Sequence, residues 1–96
     1  DMQARALAEH RVDAERLLEA TRAALQADGA LLEADERAAI DKEMAALRAA
    51  LAGADGRPLK RATEALSRAT DAFAARRMDA NVRRALTGRR IANLES

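Results

Sequence analysis

The chain has 96 residues, of which 27 are Ala and 12 are Leu, with a single aromatic residue and a formal net charge of +1. Because β-branched and aromatic residues build strands whereas Ala and Leu favour helices, this composition predicts an all-α fold and excludes a sheet. The absence of Cys excludes disulfides and Cys-ligated zinc, and no apolar run approaches the roughly 20 residues of a membrane span.

The first predicted helix covers residues 1–28, because no Gly or Pro interrupts the chain before Gly29. The opening lacks an initiator Met, a signal peptide and a helix-start signal, so we expect a piece of a longer protein that begins inside a helix. Leu17, Leu18, Thr21 and Leu25 form the core face of its second half.

The first half of this helix has few large apolar residues, namely Met2, Leu7 and Val12. The next two predicted helices span only about 20 residues each, or about 30 Å. They are too short to cover a helix of 28 residues, so the N-terminal half should project past the bundle.

The second predicted helix covers residues 33–52. Its large apolar residues recur at i, i+4, i+7 and i+11, which is one stripe of an amphipathic helix. The stripe consists of Ile40, Met44, Leu47 and Leu51. Acidic residues occupy its first turn, where negative charge suits the helix dipole. These residues are Glu33, Asp35 and Glu36.

The third predicted helix covers residues 57–77, with Arg57 as its cap and Pro58 in its first turn. Its apolar residues repeat at spacings of 3 and 4: Leu59, Ala62, Leu66, Ala69 and Phe73. A break is expected either at Thr70 or near Asp79, because both residue types cap helices. A short fourth helix should cover 79–87, and the tail 88–96 should be loose.

These elements predict an antiparallel bundle of three main helices plus a short C-terminal helix, with the first helix long and overhanging. Glycines at the helix ends, Gly29, Gly53 and Gly88, should adopt the left-handed conformation. Seven side chains should be mostly buried in the core: Leu18, Leu25, Ile40, Leu47, Leu51, Leu66 and Phe73.

Charge is distributed unevenly along the chain. Residues 1–56 carry 7 basic and 12 acidic side chains, whereas residues 57–96 carry 10 basic and 4 acidic ones. Arginines recur in pairs: Arg76 and Arg77, Arg83 and Arg84, Arg89 and Arg90. A solvated helix surface is the simpler interpretation. A nucleic-acid-binding bundle is the alternative, although the near-zero net charge and the lack of aromatic residues among these arginines disfavour it.

No catalytic, metal or cofactor site is predicted. The only histidine is His10, and Glu9-His10 does not match the zinc motif H-E-x-x-H. The acidic residues of the second helix lack the spacing of a calcium loop. We therefore do not expect this chain to be an enzyme.

Several residue strings resemble one known family. Four stretches are similar to the C-terminal helical lid of heat-shock-protein-70 chaperones. They are residues 17–22 (LLEATR), Ala39-Ile40, residues 47–51 (LRAAL) and Gly53. Other stretches resemble the branch of that family that serves iron–sulfur cluster assembly. They are residues 74–79 (AARRMD), residues 82–86 (VRRAL) and Gly88, together with residues 1–7 and 9–12. The resemblance covers essentially the whole chain.

The resemblance implies that this chain closes over a β-sandwich that grips an extended client peptide. It also implies an ATPase domain elsewhere in the full protein, which would use ATP and magnesium, and a cytoplasmic location. The client would be the iron–sulfur scaffold protein, and a J-domain co-chaperone would act on the ATPase. In lids of this family, polar side chains on the first helix contact loops of the sandwich.

Matched to the family pattern, the main latch carboxylate is Glu15, with Arg11, Asp1 and Glu19 as further contact positions. Each of these could instead be an ordinary exposed charge. Residues 2–18 should also promote a homodimer of the excised chain, because Met2, Leu7 and Val12 would lose their normal cover.

Overall fold

The computed structural model describes the backbone of residues 2–95 and the side chains of residues 2–87. It contains three helices: α1 is Met2–Asp28, α2 is Ala34–Ala52 and α3 is Gly56–Glu95, and a 3₁₀ turn, Gly29–Leu31, follows α1. No strand occurs in the described backbone. The predicted all-α bundle is confirmed.

The helices run up, down and up, so α2 is antiparallel to both neighbours while α1 and α3 are parallel. Arg11, in the first half of α1, contacts the C-terminal end of α2 through the carbonyl of Leu51. At the other end of the bundle, Arg77 of α3 contacts Asp28, the last residue of α1. The molecule is elongated, with a longest dimension of 61 Å, which matches the length of a helix of 40 residues at about 1.5 Å per residue.

The core forms where the apolar stripes of the three helices meet. Nine apolar residues among the described side chains are buried: Ala14, Ala24, Leu25, Ile40, Met44, Leu47, Leu59, Leu66 and Phe73. Leu18 and Leu51, which were predicted to join the core, are partly buried and pack against it. Thr21 is buried as predicted, and its hydroxyl donates to the carbonyl of Leu17, which satisfies the polar group inside the helix.

The helix ends use side chains rather than left-handed glycines. The Glu36 carboxylate accepts a hydrogen bond from the Glu33 N–H at 2.9 Å, which satisfies a donor at the start of α2. At the start of α3, Asp55 accepts from the Arg57 N–H at 2.9 Å. Asp55, and not Arg57, is therefore the cap, because an arginine has no acceptor to offer a backbone N–H.

The glycine prediction is wrong in its conformation. No described glycine has a positive φ, and Gly53, which ends α2, is extended with φ −89° and ψ 173°. Gly88 lies inside α3. The Arg11 guanidinium donates a hydrogen bond to the carbonyl of Gly53 at 2.6 Å, so a side chain from α1 caps the C-terminal end of α2.

The predicted break in α3 and the separate helix over 79–87 are also wrong. The helix is continuous through both Thr70 and Asp79, and the tail that was expected to be loose is helical as far as Glu95. The Thr70 hydroxyl donates a hydrogen bond to the carbonyl of Leu66 in the preceding turn of the same helix, so Thr70 does not cap the start of a new helix. No Gly or Pro lies between Pro58 and Gly88 to oppose helix formation.

The overhang of α1 is shorter than the predicted N-terminal half, because α1 has 27 residues against 19 in α2 and its residues 2–6 are exposed. Leu7 packs against the core, and Arg11 bonds the end of α2, so most of α1 is held by its neighbours. At the opposite end of the bundle α3, with 40 residues against 19 in α2, also extends beyond the other helices. This second overhang was not predicted because the sequence estimate ended α3 at residue 77.

Candidate docking face of the first helix

Glu15, the main predicted latch residue, lies on the outer surface of α1. Its neighbour Ala14 is completely buried against the rest of the bundle, whereas Glu15 is exposed. Within the described side chains, Glu15 makes no hydrogen bond or ion pair. Its carboxylate is therefore available to a partner outside the bundle.

Glu19, one turn further along α1, is already paired. Arg22 donates from Nε to a Glu19 carboxylate oxygen at 3.0 Å, and a second guanidinium nitrogen contacts the other oxygen. This hydrogen bond and the charge of Arg22 lower the pKa of the Glu19 carboxyl. A contact from Glu19 to another domain would compete with this i,i+3 pair.

Arg11 bonds within the bundle and not outward. Its guanidinium donates to the carbonyl of Leu51 at 3.0 Å and to that of Gly53 at 2.6 Å. These are carbonyls of the last turn of α2 and the residue after it, which have no partner within their own helix. The fourth predicted latch residue, Asp1, lies outside the described residues.

The apolar residues of the first half of α1 divide into two groups. Met2 is 84% exposed and Val12 is 45% exposed, so both point to solvent. Leu7 is half-buried and lines a groove of about 710 Å³ between α1 and the loop that joins α2 to α3. Self-association through α1 would therefore depend on Met2 and Val12, and less on Leu7 than the sequence suggested.

Sequence reasoning missed an ion-pair cluster at the opposite end of the bundle. Asp28, which is only 7% exposed, accepts from Arg77 at 2.8 Å and from Arg84 at 3.4 Å. Arg76 donates to Glu36 at 2.6 Å. The repeated arginine pairs were the visible signal, but which carboxylates they meet depends on how α3 packs.

This cluster bears on the nucleic-acid alternative. Three of the six paired arginines, namely Arg76, Arg77 and Arg84, contact carboxylates of the same chain. Phosphate binding would have to break these contacts. The basic half of the chain therefore offers fewer available cations than its composition indicates.

The same cluster predicts that the folded bundle loses stability at low pH. The hydrogen bond from Arg76 lowers the pKa of Glu36 from 4.5 to about 2, and that from Arg77 lowers the pKa of Asp28. Both groups bind protons more weakly in the folded state, so their stabilisation is complete above about pH 4.5 and is lost as the pH falls towards 2. We expect the urea midpoint to fall across this window.

Glu36→Gln should flatten that pH dependence, because Gln keeps the capping hydrogen bond but does not titrate. The control is Asp35→Asn, which removes an exposed carboxylate from the same turn and should leave the slope unchanged. Urea midpoints that fall equally steeply in wild type and Glu36→Gln would contradict this assignment.

Neither a membrane span nor a metal centre is found in the described part of the chain. No described helix is long and apolar enough to cross a bilayer. Residues 2–87 contain no cluster of three or more His, Cys, Asp or Glu side chains that could hold a metal ion.

Comparison with known proteins gives close relatives but no family-profile match. The chain is 62% identical over 94 residues, 98% of its length, to the "Chaperone protein HscA homolog" of Ralstonia nicotianae. It is 62% identical over 95% of its length to the protein of that name in Burkholderia orbicola, and 59% identical over 95% to that in Azoarcus. In each case it spans about 15% of the relative's length.

Proposed function

This chain belongs to the family of HscA chaperones, and we propose from that premise that it is the helical lid that closes over a peptide-binding β-sandwich. The observation that carries the proposal is the 62% identity over 98% of the chain, which places all three helices within the family. Within residues 2–87 the helices bury nine apolar residues among themselves, so the bundle has a core of its own. The outer face of α1 is then free to contact another domain.

Glu15 is the residue we assign to fastening the lid. It is exposed, it makes no ion pair with the described side chains, and it stands on α1 one residue after the fully buried Ala14. That position lets the carboxylate reach outward while the helix backbone is held by the core. Arg11 and Glu19 are weaker candidates, because each already bonds a group of this chain.

The activity of the complete protein is part of the same proposal. An ATPase domain with ATP and magnesium would drive opening and closing of the lid, and a J-domain co-chaperone would act on that domain. The client would be a scaffold protein for iron–sulfur cluster assembly, in the cytoplasm. This chain contributes the cover, and we assign none of the catalytic chemistry to its helices.

Glu15→Ala in the full-length chaperone should release bound client peptide several-fold faster. An exposed ion pair contributes about 0.2–1 kcal/mol, and a partly buried, hydrogen-bonded one contributes more. Because an opening lid governs escape more than encounter, the change should appear in the dissociation rate constant and not in the association rate constant. Stopped-flow release of a fluorescent client peptide in the ADP-bound state measures it.

The matched control is Asp13→Ala. Asp13 is also an exposed carboxylate of α1. It is two positions before Glu15, which corresponds to about 200° around the helix, so it faces the other side. Asp13→Ala should leave release unchanged. Equal release from wild type and Glu15→Ala would remove Glu15 from the latch, whereas equal acceleration by both variants would indicate a general effect of charge.

A further inference from the structure

The part of α3 that extends past the other helices carries a stripe of exposed apolar side chains. Met78 is 68% exposed, Val82 is 51% exposed and Leu86 is 54% exposed. They are spaced four residues apart, so they lie near one another along one side of the helix. We call these three residues the α3 stripe.

The α3 stripe faces away from the bundle. Val82 comes nine positions after the buried Phe73, and at about 100° per residue this places the two on opposite sides of the helix. Neither α1 nor α2 can cover the stripe without α3 rotating by half a turn.

Basic charge does not block this surface, although the sequence around it is rich in arginine. Arg76 is held by Glu36, and Arg77 and Arg84 are held by Asp28, so all three are directed towards the bundle. Beside the stripe, this leaves one acidic and one basic residue, Asp79 and Arg83, which are exposed. Neither makes an ion pair with another side chain in residues 2–87.

We propose that the α3 stripe binds the α3 stripe of a second copy of this chain, antiparallel and with a twofold axis at Val82. In that arrangement a residue n positions before Val82 lies opposite the residue n positions after it. Met78 then packs on Leu86 of the second copy, and the two Val82 side chains meet at the centre.

Charge complementarity favours a second copy as the occupant. In the same antiparallel arrangement, Asp79 and Arg83 of the second copy are offset by two residues, or about 3 Å along the helix. A twofold axis perpendicular to the helix pair keeps both on the same side, so two identical ion pairs flank the apolar centre. One helix pair is smaller than the roughly 1,200 Å² of a stable interface, so the dimer should be weak, with a Kd of about 0.1–1 mM.

Sedimentation equilibrium of the 96-residue chain at up to about 1 mM tests the proposal. Val82→Lys should weaken association at least 30-fold, because it places two ammonium groups face to face at the centre. Val12→Lys, which disrupts the exposed face of α1 instead, should have no effect. Circular dichroism checks that both variants remain helical.

Charge exchange gives the decisive result. Asp79→Arg and Arg83→Asp should each weaken self-association about tenfold, because each replaces both ion pairs with like charges. An equimolar mixture of the two variants should restore it, since every facing pair is again opposite in sign. The double variant Asp79→Arg with Arg83→Asp should also associate like wild type.

Three results would overturn the proposal. A strictly monomeric wild type at 1 mM would exclude a second copy and leave a partner of different sequence as the occupant. Loss of association in Val12→Lys but not in Val82→Lys would place the contact on α1. A mixture of the two charge variants that stays monomeric would exclude the antiparallel register.

Discussion

Phe73→Ala is expected to destabilise the bundle by about 3–5 kcal/mol, the cost of removing a fully buried aromatic ring. Phe73 is 3% exposed and lies on the core side of α3, with the Arg77 guanidinium 5.9 Å from the ring centroid. Total stabilities of small domains are about 5–15 kcal/mol, so the loss is a large share of the whole. The urea midpoint measured by circular dichroism should fall sharply or disappear.

Met78→Ala is the matched control for this substitution. Met78 is on the same helix, is also large and apolar, and is 68% exposed. Because little area is lost from the core, we expect its urea midpoint to stay within about 0.5 kcal/mol of wild type. Similar midpoints for Phe73→Ala and Met78→Ala at micromolar concentration would mean that Phe73 does not anchor α3.

Ala14→Leu should destabilise by about 1–3 kcal/mol for the opposite reason, since it adds volume where none is free. Ala14 is 0% exposed, so other atoms surround its methyl group on all sides. A leucine there must push α1 away from its neighbours or adopt a strained rotamer. The result would show that alanine is required at this position because of helix approach and not only because of helix propensity.

Ala23→Leu makes the same chemical change on the exposed side of α1. It should alter the unfolding free energy by less than about 0.5 kcal/mol, because Ala and Leu have similar helix propensities and nothing crowds the site. If Ala14→Leu proved as mild as Ala23→Leu in urea titrations, the contact around Ala14 would be looser than the structure indicates.

Much of the fold could be predicted because apolar periodicity is a local property of a helix. The stripe containing Ile40, Met44 and Leu47 is buried as its spacing indicates, and so are Leu66 and Phe73. Helix ends were harder to predict. Asp79 has the chemistry of a cap, yet the surrounding residues favour helix strongly enough that α3 continues through it.

The candidate site was less predictable, because it depends on which side chains meet across helices. Glu15 was selected by the resemblance to the family pattern, and the structure shows it exposed. The bond from Arg11 to Gly53 joins residues 42 positions apart, and the contact between Asp28 and Arg84 joins residues 56 apart. Only the packed structure determines such pairs.

The two hydrogen bonds of Arg11 also determine how α1 can move. They tie α1 to the end of α2, and Leu7, one turn earlier, packs on the core. Residues 2–6, all of them exposed, are the part of α1 that precedes both contacts. That segment is only about 8 Å long, so little of α1 can bend independently of the bundle. Any large swing must therefore carry the three helices together as one rigid arm, with its pivot before Leu7.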